Sequence, residues 1–257
     1  MSEKCSRGTA TAALLVSLAA LLASGCVDRS VPYETIDPEL DYSGRCSVAV
    51  AVVDMREQVL DGGRSPAVVG ALRVAGSRMA DLTTGDGSPL ADAIGEAIAE
   101  SLRRAGFEAP LVDSEPGEDR GELLERAREL KPDYVWLLEI RDWWSSGRAT
   151  TALSWELTLT AIDAYGAEIA ETSAAGKTRW NEDGARESEG ESSPETDPAA
   201  TLHDQLVELL ERSVSRLLND PIVPRRMERF PDKVAPEGGG PPAASEPLEP
   251  AESFSED

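Results

Sequence analysis

Apolar and polar positions fall into three kinds of pattern along this chain. The first is an unbroken apolar run, "VAVAVV" from Val48 to Val53, as expected of an interior strand covered on both faces. A second short strand, or a loop bearing one, follows in "SPAVVGALRV" at residues 65–74. The second pattern is helical. Leu90, Ile94, Ile98 and Leu102 recur every four residues, with Ser88 as N-cap, Pro89 at the first position and Gly106 as the stop, which predicts an amphipathic helix. Phe107 turns the chain back into a strand, "FEAPLVD". Residues 118–131 then read as another helix, with Leu123, Leu124, Ala127 and Leu130 on one side and Pro132 ending it.

The third pattern has a period of two. "DYVWLLEIRDWW" (residues 133–144) is rich in strand formers. In "TALSWELTLTAID" (residues 151–163), Leu153, Trp155, Leu157, Leu159 and Ala161 alternate with Ser154, Glu156, Thr158 and Thr160, one face dry and one wet. "DAYG" at residues 163–166 is a hairpin turn into "AEIAETSAAGKTRW", so three strands form an antiparallel meander. A last helix starts at Asp197 and Pro198, lays Leu202, Leu206, Leu209, Leu210, Val214 and Leu217 on the sheet, and ends at Asn219-Asp220-Pro221. The expectation is one α/β (α+β) domain over residues 44–220, a mixed, largely antiparallel sheet with helices packed on one face. No repeat of about 20–50 residues is visible.

What precedes that domain bears on location. Lys4 and Arg7 head an uncharged Ala/Leu-rich run at residues 9–24, the layout of a secretory signal peptide, here residues 1–25. The run is shorter and more dilute than the roughly 20 apolar residues a spanning helix needs. Ala23-Ser24-Gly25-Cys26 resembles the lipobox of bacterial lipoproteins, with Ala23 where Leu is preferred. The resemblance implies cleavage between Gly25 and Cys26 and a diacylglycerol on Cys26, which with an N-acyl chain suffices for stable anchoring. Residues 26–43, with Pro32 and Pro38, read as a flexible tether that lifts the domain off the bilayer. Only Cys46 is left as a thiol, so no intramolecular disulfide is possible; it is either a small half-buried residue at a strand start or a reactive thiol.

Charge narrows the partners. The chain carries a formal net charge of -23, and removing residues 1–25 takes away one acid and two bases. Such a field repels phosphate backbones and anionic head groups, which excludes nucleic acid. The acids concentrate in residues 181–198, with seven acids against Arg186 alone, and in a Pro/Gly/Glu-rich tail within residues 221–257. Both lack the apolar content to offset ordering and are expected to be mobile. Neither has the ligand spacing of a calcium loop, and no metal is expected.

The order of these elements supports a family resemblance. "DMR" after the first strand (Asp54, Arg56), Val69-Gly70 with Arg73 following, Gly106-Phe107 after the first helix, "DYVWLLEI", a meander with Gly166 in its turn and a terminal amphipathic helix look like the YajG-like family of outer-membrane lipoproteins. The long acidic insertion and the acidic tail depart from it. The resemblance implies a fold and a location, with no established enzymatic activity. Val27 after the lipidated cysteine implies, by resemblance to the enterobacterial sorting rule, release to the outer membrane, facing the periplasm; Asp28 stands one place later.

"SAAGKT" at residues 173–178 suggests a phosphate loop, but Glu171 holds a position that needs Gly and no helix follows, so no nucleotide is expected. His203 is the only histidine, and no Gly-x-Ser-x-Gly elbow occurs. Paired carboxylates stay open, since their spacing in space is invisible here. The expectation is a protein that is not an enzyme, has no cofactor beyond the lipid on Cys26, and binds other envelope proteins. A small-ligand or peptidoglycan binder and an envelope hydrolase are the rival readings. Two surfaces are candidates. Arg141, Trp143, Trp144 and Arg148 lie at a strand end where adjacent tryptophans point to opposite faces and one is exposed. Arg56, Arg64, Arg73 and Arg78 form the basic part of an acidic chain, suited to an anion or a partner's acids, or to pairing with the domain's own carboxylates.

Overall fold

A computed structural model describes residues 29–73, 79–147, 151–180, 186–188 and 202–227, without the side chains of Arg73, Trp180 and residues 186–188. The signal segment, Cys26, Arg78, Arg148 and residues 228–257 lie outside the described residues. Among the described residues, nine strands form one mixed sheet. They are β1 (Ser30–Val31), β2 (Val48–Asp54), β3 (Val68–Arg73), β4 (Met79–Thr84), β5 (Leu111–Val112), β6 (Tyr134–Gly147), β7 (Thr151–Asp163), β8 (Glu168–Trp180) and β9 (Arg186–Ser188). The helices are α1 (Glu57–Leu60), α2 (Leu90–Arg104), α3 (Arg120–Glu129), α4 (Leu202–Leu218) and α5 (Ile222–Met227).

The meander is as the period of two predicts: β6, β7 and β8 pair antiparallel in turn. Its turn is held by Asp163, whose Oδ1 accepts from Tyr165 N and Ala167 N at 2.9 and 2.8 Å, while Gly166 takes φ +89°, a value at home in glycine. The long β6 is flanked on its other side by two different strands. Its first half pairs parallel with β2 up to Asp54↔Ile140, and its end pairs parallel with β3 from Gly70↔Ser145. At Gly70 an added Cβ would stand 2.3 Å from the Ser145 carbonyl oxygen, so only glycine permits this approach.

Between those two pairings lies a gap in the ladder, and Arg56 fills it. Arg56 is 0% exposed and Asp54 2%. The guanidinium binds the carboxylate twice, Nη2 to Oδ2 at 2.6 Å and Nε to Oδ1 at 2.9 Å. It also donates to the carbonyls of Val68 and Pro66 at 2.8 Å each, and more weakly to that of Trp143 at 3.4 Å. A buried charge is tolerable only when paired and fully hydrogen-bonded. Arg56 is therefore part of the framework: of the two readings of the arginine cluster, anion binding is corrected here and pairing with the domain's own carboxylates holds.

Every residue of β2 is buried, and its two faces enter different cores. Val48, Val50 and Val52 join the main core with α2 and α4, while Ala49, Ala51 and Val53 join a second core with Leu123 and Ala127 of α3. The two long helices share one face as expected. The short α3 covers part of the other, in line with the unbroken apolar run of β2. Asp119 caps α3 by accepting from Gly121 N and Glu122 N, whereas α2 begins one residue later than expected, with Pro89 in the N-cap place and Ser88 bonded to Asp86 instead.

Several segments depart from the sequence reading. Much of the supposed tether is packed: β1 pairs with β4, and Val31, Tyr33 and Ile36 are buried. Residues 37–44 then run between α2 and α4 as a strap. Asp37 N, Glu39 N and Asp41 N donate to Glu211, Ser215 and Asn219, Tyr42 Oη donates to the Leu218 carbonyl at 3.0 Å, and Gly44 N donates to the Ala105 carbonyl. Within the acidic stretch, Arg186–Ser188 pairs with the end of β8. Past the expected end of the domain, α5 buries Val223 and Met227, and its last carbonyl accepts from Tyr134 Oη at 2.8 Å. Long-range partners supply what these short apolar fragments lack locally.

The strap makes stability sensitive to alkali. Burial pushes the Tyr33 phenol well above its usual range, outweighing the lowering from the Trp143 indole and the Arg56 charge, and burial followed by Cys46 pushes Tyr42 the same way. A phenol whose folded pKa exceeds its unfolded value near 10 contributes stability that is complete below about pH 10 and lost as pH rises past it. Thermal melts at pH 8 and 11 should show a lower midpoint at the higher pH, and Tyr42→Phe should flatten that difference. An unchanged slope in Tyr42→Phe would refute its share.

Candidate surface on the open sheet face

Part of the sheet face opposite α2 and α4 is left open beyond α3. A register shift in β6 between Ile140 and Asp142 decides what it displays. Tyr134, Trp136, Leu138 and Ile140 face the main core; the extra residue at the bulge reverses the parity, so Trp143 also faces that core and Trp144 does not. Trp143 is 0% exposed, and its Nε1 donates to Tyr33 Oη at 2.9 Å with the rings edge-on. Trp143 is thus removed from the candidate partner surface: strand-end packing holds it.

Trp144 is half-buried on the open face, with the Arg64 guanidinium 5.9 Å from its ring centroid, a cation–π distance. Arg64 in turn pairs with Asp81 of β4. Arg141, at the bulge, is exposed and pairs with Glu139 at 2.7 Å. That bond, with Glu156 and Glu171 beyond it, holds its guanidinium above the ordinary arginine range. The face is therefore graded, with Glu139, Glu156 and Glu171 around Arg141 and a basic region beyond Trp144.

The fold brings together Arg64 and Trp144, which belonged to separate candidate clusters in the sequence, while Arg141 pairs with Glu139 instead. Arg73 closes β3 opposite Met79; its side chain, Arg78 and Arg148 fall outside the described residues. Sequence reasoning passed over Lys177 and Arg179 of β8, both exposed. Trp144, Ser154 and Lys177 form one cross-strand row, and Ser146, Ala152 and Arg179 the next on the same face. The signal was present in the alternation of β7, since whatever pairs with Ser154 shares its face. That face is narrower than alternation implies, because Thr158 and Thr160 are buried.

Among the described residues no three His, Cys, Asp or Glu side chains are placed to hold a metal ion. Asp92 has a carboxyl raised above the usual range by burial and then by Asp113, Glu96 and Asp86. It lies in the first turn of α2. His203 is half-buried on α4, and Cys46 is half-buried without a disulfide.

Fold and surface define a single-domain mixed α+β protein with one open, charged sheet face. No family model matches the chain, nor does any curated protein. Solved structures that resemble it include protein XCC0632 of Xanthomonas campestris, a DUF330 protein, at 12% identity and TM-score 0.45 over 76% of this chain and 94% of that one. The PelC dodecamer of Paraburkholderia phytofirmans matches at 15% identity and TM-score 0.37, over 72% and 94% of the two chains. Lipoprotein GNA1162 of Neisseria meningitidis matches at 12% and 0.30, over 66% and 99%.

Proposed function

We propose that this protein is a lipid-anchored lipoprotein of the bacterial cell envelope, YajG-like, held in the outer membrane through Cys26 and facing the periplasm. It acts without catalysis, as a protein-binding or assembly-accessory module. The observation that carries the binding role is the meeting of Arg64 and Trp144 on an open sheet face. Arginine and tryptophan are the residue types that most often anchor interfaces, and a stacked pair is already ordered before a partner arrives. The graded charge of the face suits a partner with both signs.

The test is affinity recovery after in-cell crosslinking, from detergent-solubilised envelopes, of wild type, Cys26→Ser and Arg64→Ala/Trp144→Ala. One recurring envelope protein should be recovered with wild type and reduced at least about tenfold with the double variant, as expected when two anchors of about 1 kcal/mol or more are removed. Equal recovery with a folded, lipidated double variant would discard this face.

A further inference from the structure

Beyond β2 the sheet ends in β5, and the outer rim of β5 is an unpaired edge among the described residues. The segment leading into β5 runs parallel to β2. Glu108 N donates to the Cys46 carbonyl, while the carbonyls of Glu108 and Pro110 accept from Val48 N and Val50 N at 2.7 and 2.9 Å. With the register Val50↔Leu111 and Ala51↔Val112, the even-numbered residues turn their backbone groups toward β2, so Ala109, Leu111 and Asp113 turn theirs outward. Among the described residues their amides and the Leu111 carbonyl meet no partner. The Ala109 carbonyl accepts from Arg103 Nη2 at 2.9 Å and the Asp113 carbonyl from Arg126 Nη1. Pro110 holds an inward position, so it removes no donor from the rim.

Charge along this rim is divided between its ends. On the side of α2, Asp113 acts on Asp92 as a like charge, together with Glu96, and Arg103 stands beside Ala109. On the side of α3 the order is reversed, with Arg126 at Asp113 and Glu108 toward the other end. Ala109 packs in the core with α2 and Val112 in the core with α3, so by alternation Asp113 shares the α2 side and Glu108 the α3 side. Arg103 and Arg126 hold Glu100 and Glu118, whereas neither Glu108 nor Asp113 is ion-paired among the described residues.

We infer that the β5 edge is a self-association surface, on which a second copy of this chain pairs antiparallel about a two-fold axis at Leu111. Centred there, Ala109 lies opposite Asp113 of the second copy, and every outward amide meets an outward carbonyl. Opposed residues share a face, so Asp113 of the second copy arrives beside Arg103, and its Glu108, opposite Ser114, arrives beside Arg126. Each arginine, 43% exposed, exchanges a neutral carbonyl for a carboxylate, the stronger acceptor. The axis repeats both pairs. The net charge of -23 opposes association, but charge beyond a Debye length of about 8 Å is screened at physiological salt, and the pairs at the rim are local. The result is one continuous sheet across two copies, closing an edge otherwise open to foreign strands. The contact involves neither Cys26 nor the Trp144 surface.

The full-length chain in detergent solution is followed by sedimentation velocity and by hydrogen exchange read by mass spectrometry. Wild type should sediment as a dimer, and the peptide spanning residues 107–114 should exchange more slowly as concentration rises. Arg103→Glu sets acid against acid across the axis and Asp113→Arg sets arginine against arginine; each should raise the dissociation constant at least about tenfold. Arg103→Glu/Asp113→Arg in one chain restores opposite charges and should return the dimer, as should mixing the two single variants. A monomeric wild type overturns the proposal. A dimer that both single variants leave intact overturns it as well, and so do single variants whose loss neither the double variant nor the mixture repairs.

Discussion

Replacing Arg56 by Met is expected to cost about 3–5 kcal/mol, because it leaves the Asp54 carboxylate buried without its partner. At about 2–4 °C per kcal/mol for a domain of this size, the midpoint falls by roughly 6–20 °C. The cause is specific to the break in the ladder beside β6. The guanidinium answers both carboxylate oxygens and the carbonyls of Pro66 and Val68, and Met offers none of them a donor. Urea and thermal unfolding of Arg56→Met, Asp54→Asn and the double variant form a cycle. The double variant should lose less than the sum of the singles, since each single already breaks the shared bond. A ligand-binding role for Arg56 predicts instead a stability change within about 0.5 kcal/mol, the range of ordinary surface substitutions; that result would sink the framework assignment.

Tyr33→Ala is expected to be of similar size. Truncating a large buried aromatic ring costs about 3–5 kcal/mol, and the indole N–H of Trp143 loses its acceptor as well. Tyr33→Phe keeps the ring and removes only that bond, for about 1 kcal/mol. The pair of variants separates packing from hydrogen bonding, and chemical denaturation reads both. A true tether at this point predicts no loss in either variant.

Both sites show why the sequence was legible in some places and not in others. The apolar run of β2, the four-residue spacing of α2 and the alternation of β7 are local patterns that burial on a sheet or helix face writes directly into residue order. Each was recovered nearly to its ends. Val31, Tyr33 and Ile36 follow no such period, and between Pro32 and Pro38 they resemble a linker; only the distant Trp143, Thr83 and α4 make them core. β4, "MADLTT", has neither a run nor a clean alternation, and it exists because β3 and β1 flank it. The candidate surface was half readable for a related reason. A single extra residue at the bulge exchanges the two faces of β6, so the exposed tryptophan could be counted but not chosen. Arg56 looked like surface charge because nothing in its neighbours in sequence announces four buried acceptors.

The strap has a consequence for the order in which the molecule is completed. Asp37, Glu39, Asp41 and Tyr42 find partners between Glu211 and Asn219, separations of about 175 residues, and contacts that close so long a loop form slowly. During synthesis the amino end emerges first, yet these four bonds must wait for the last long helix. Until then α2 lacks the cover that α4 and the strap together provide. A chain leaving the ribosome is thereby kept from locking shut before its final helix has emerged.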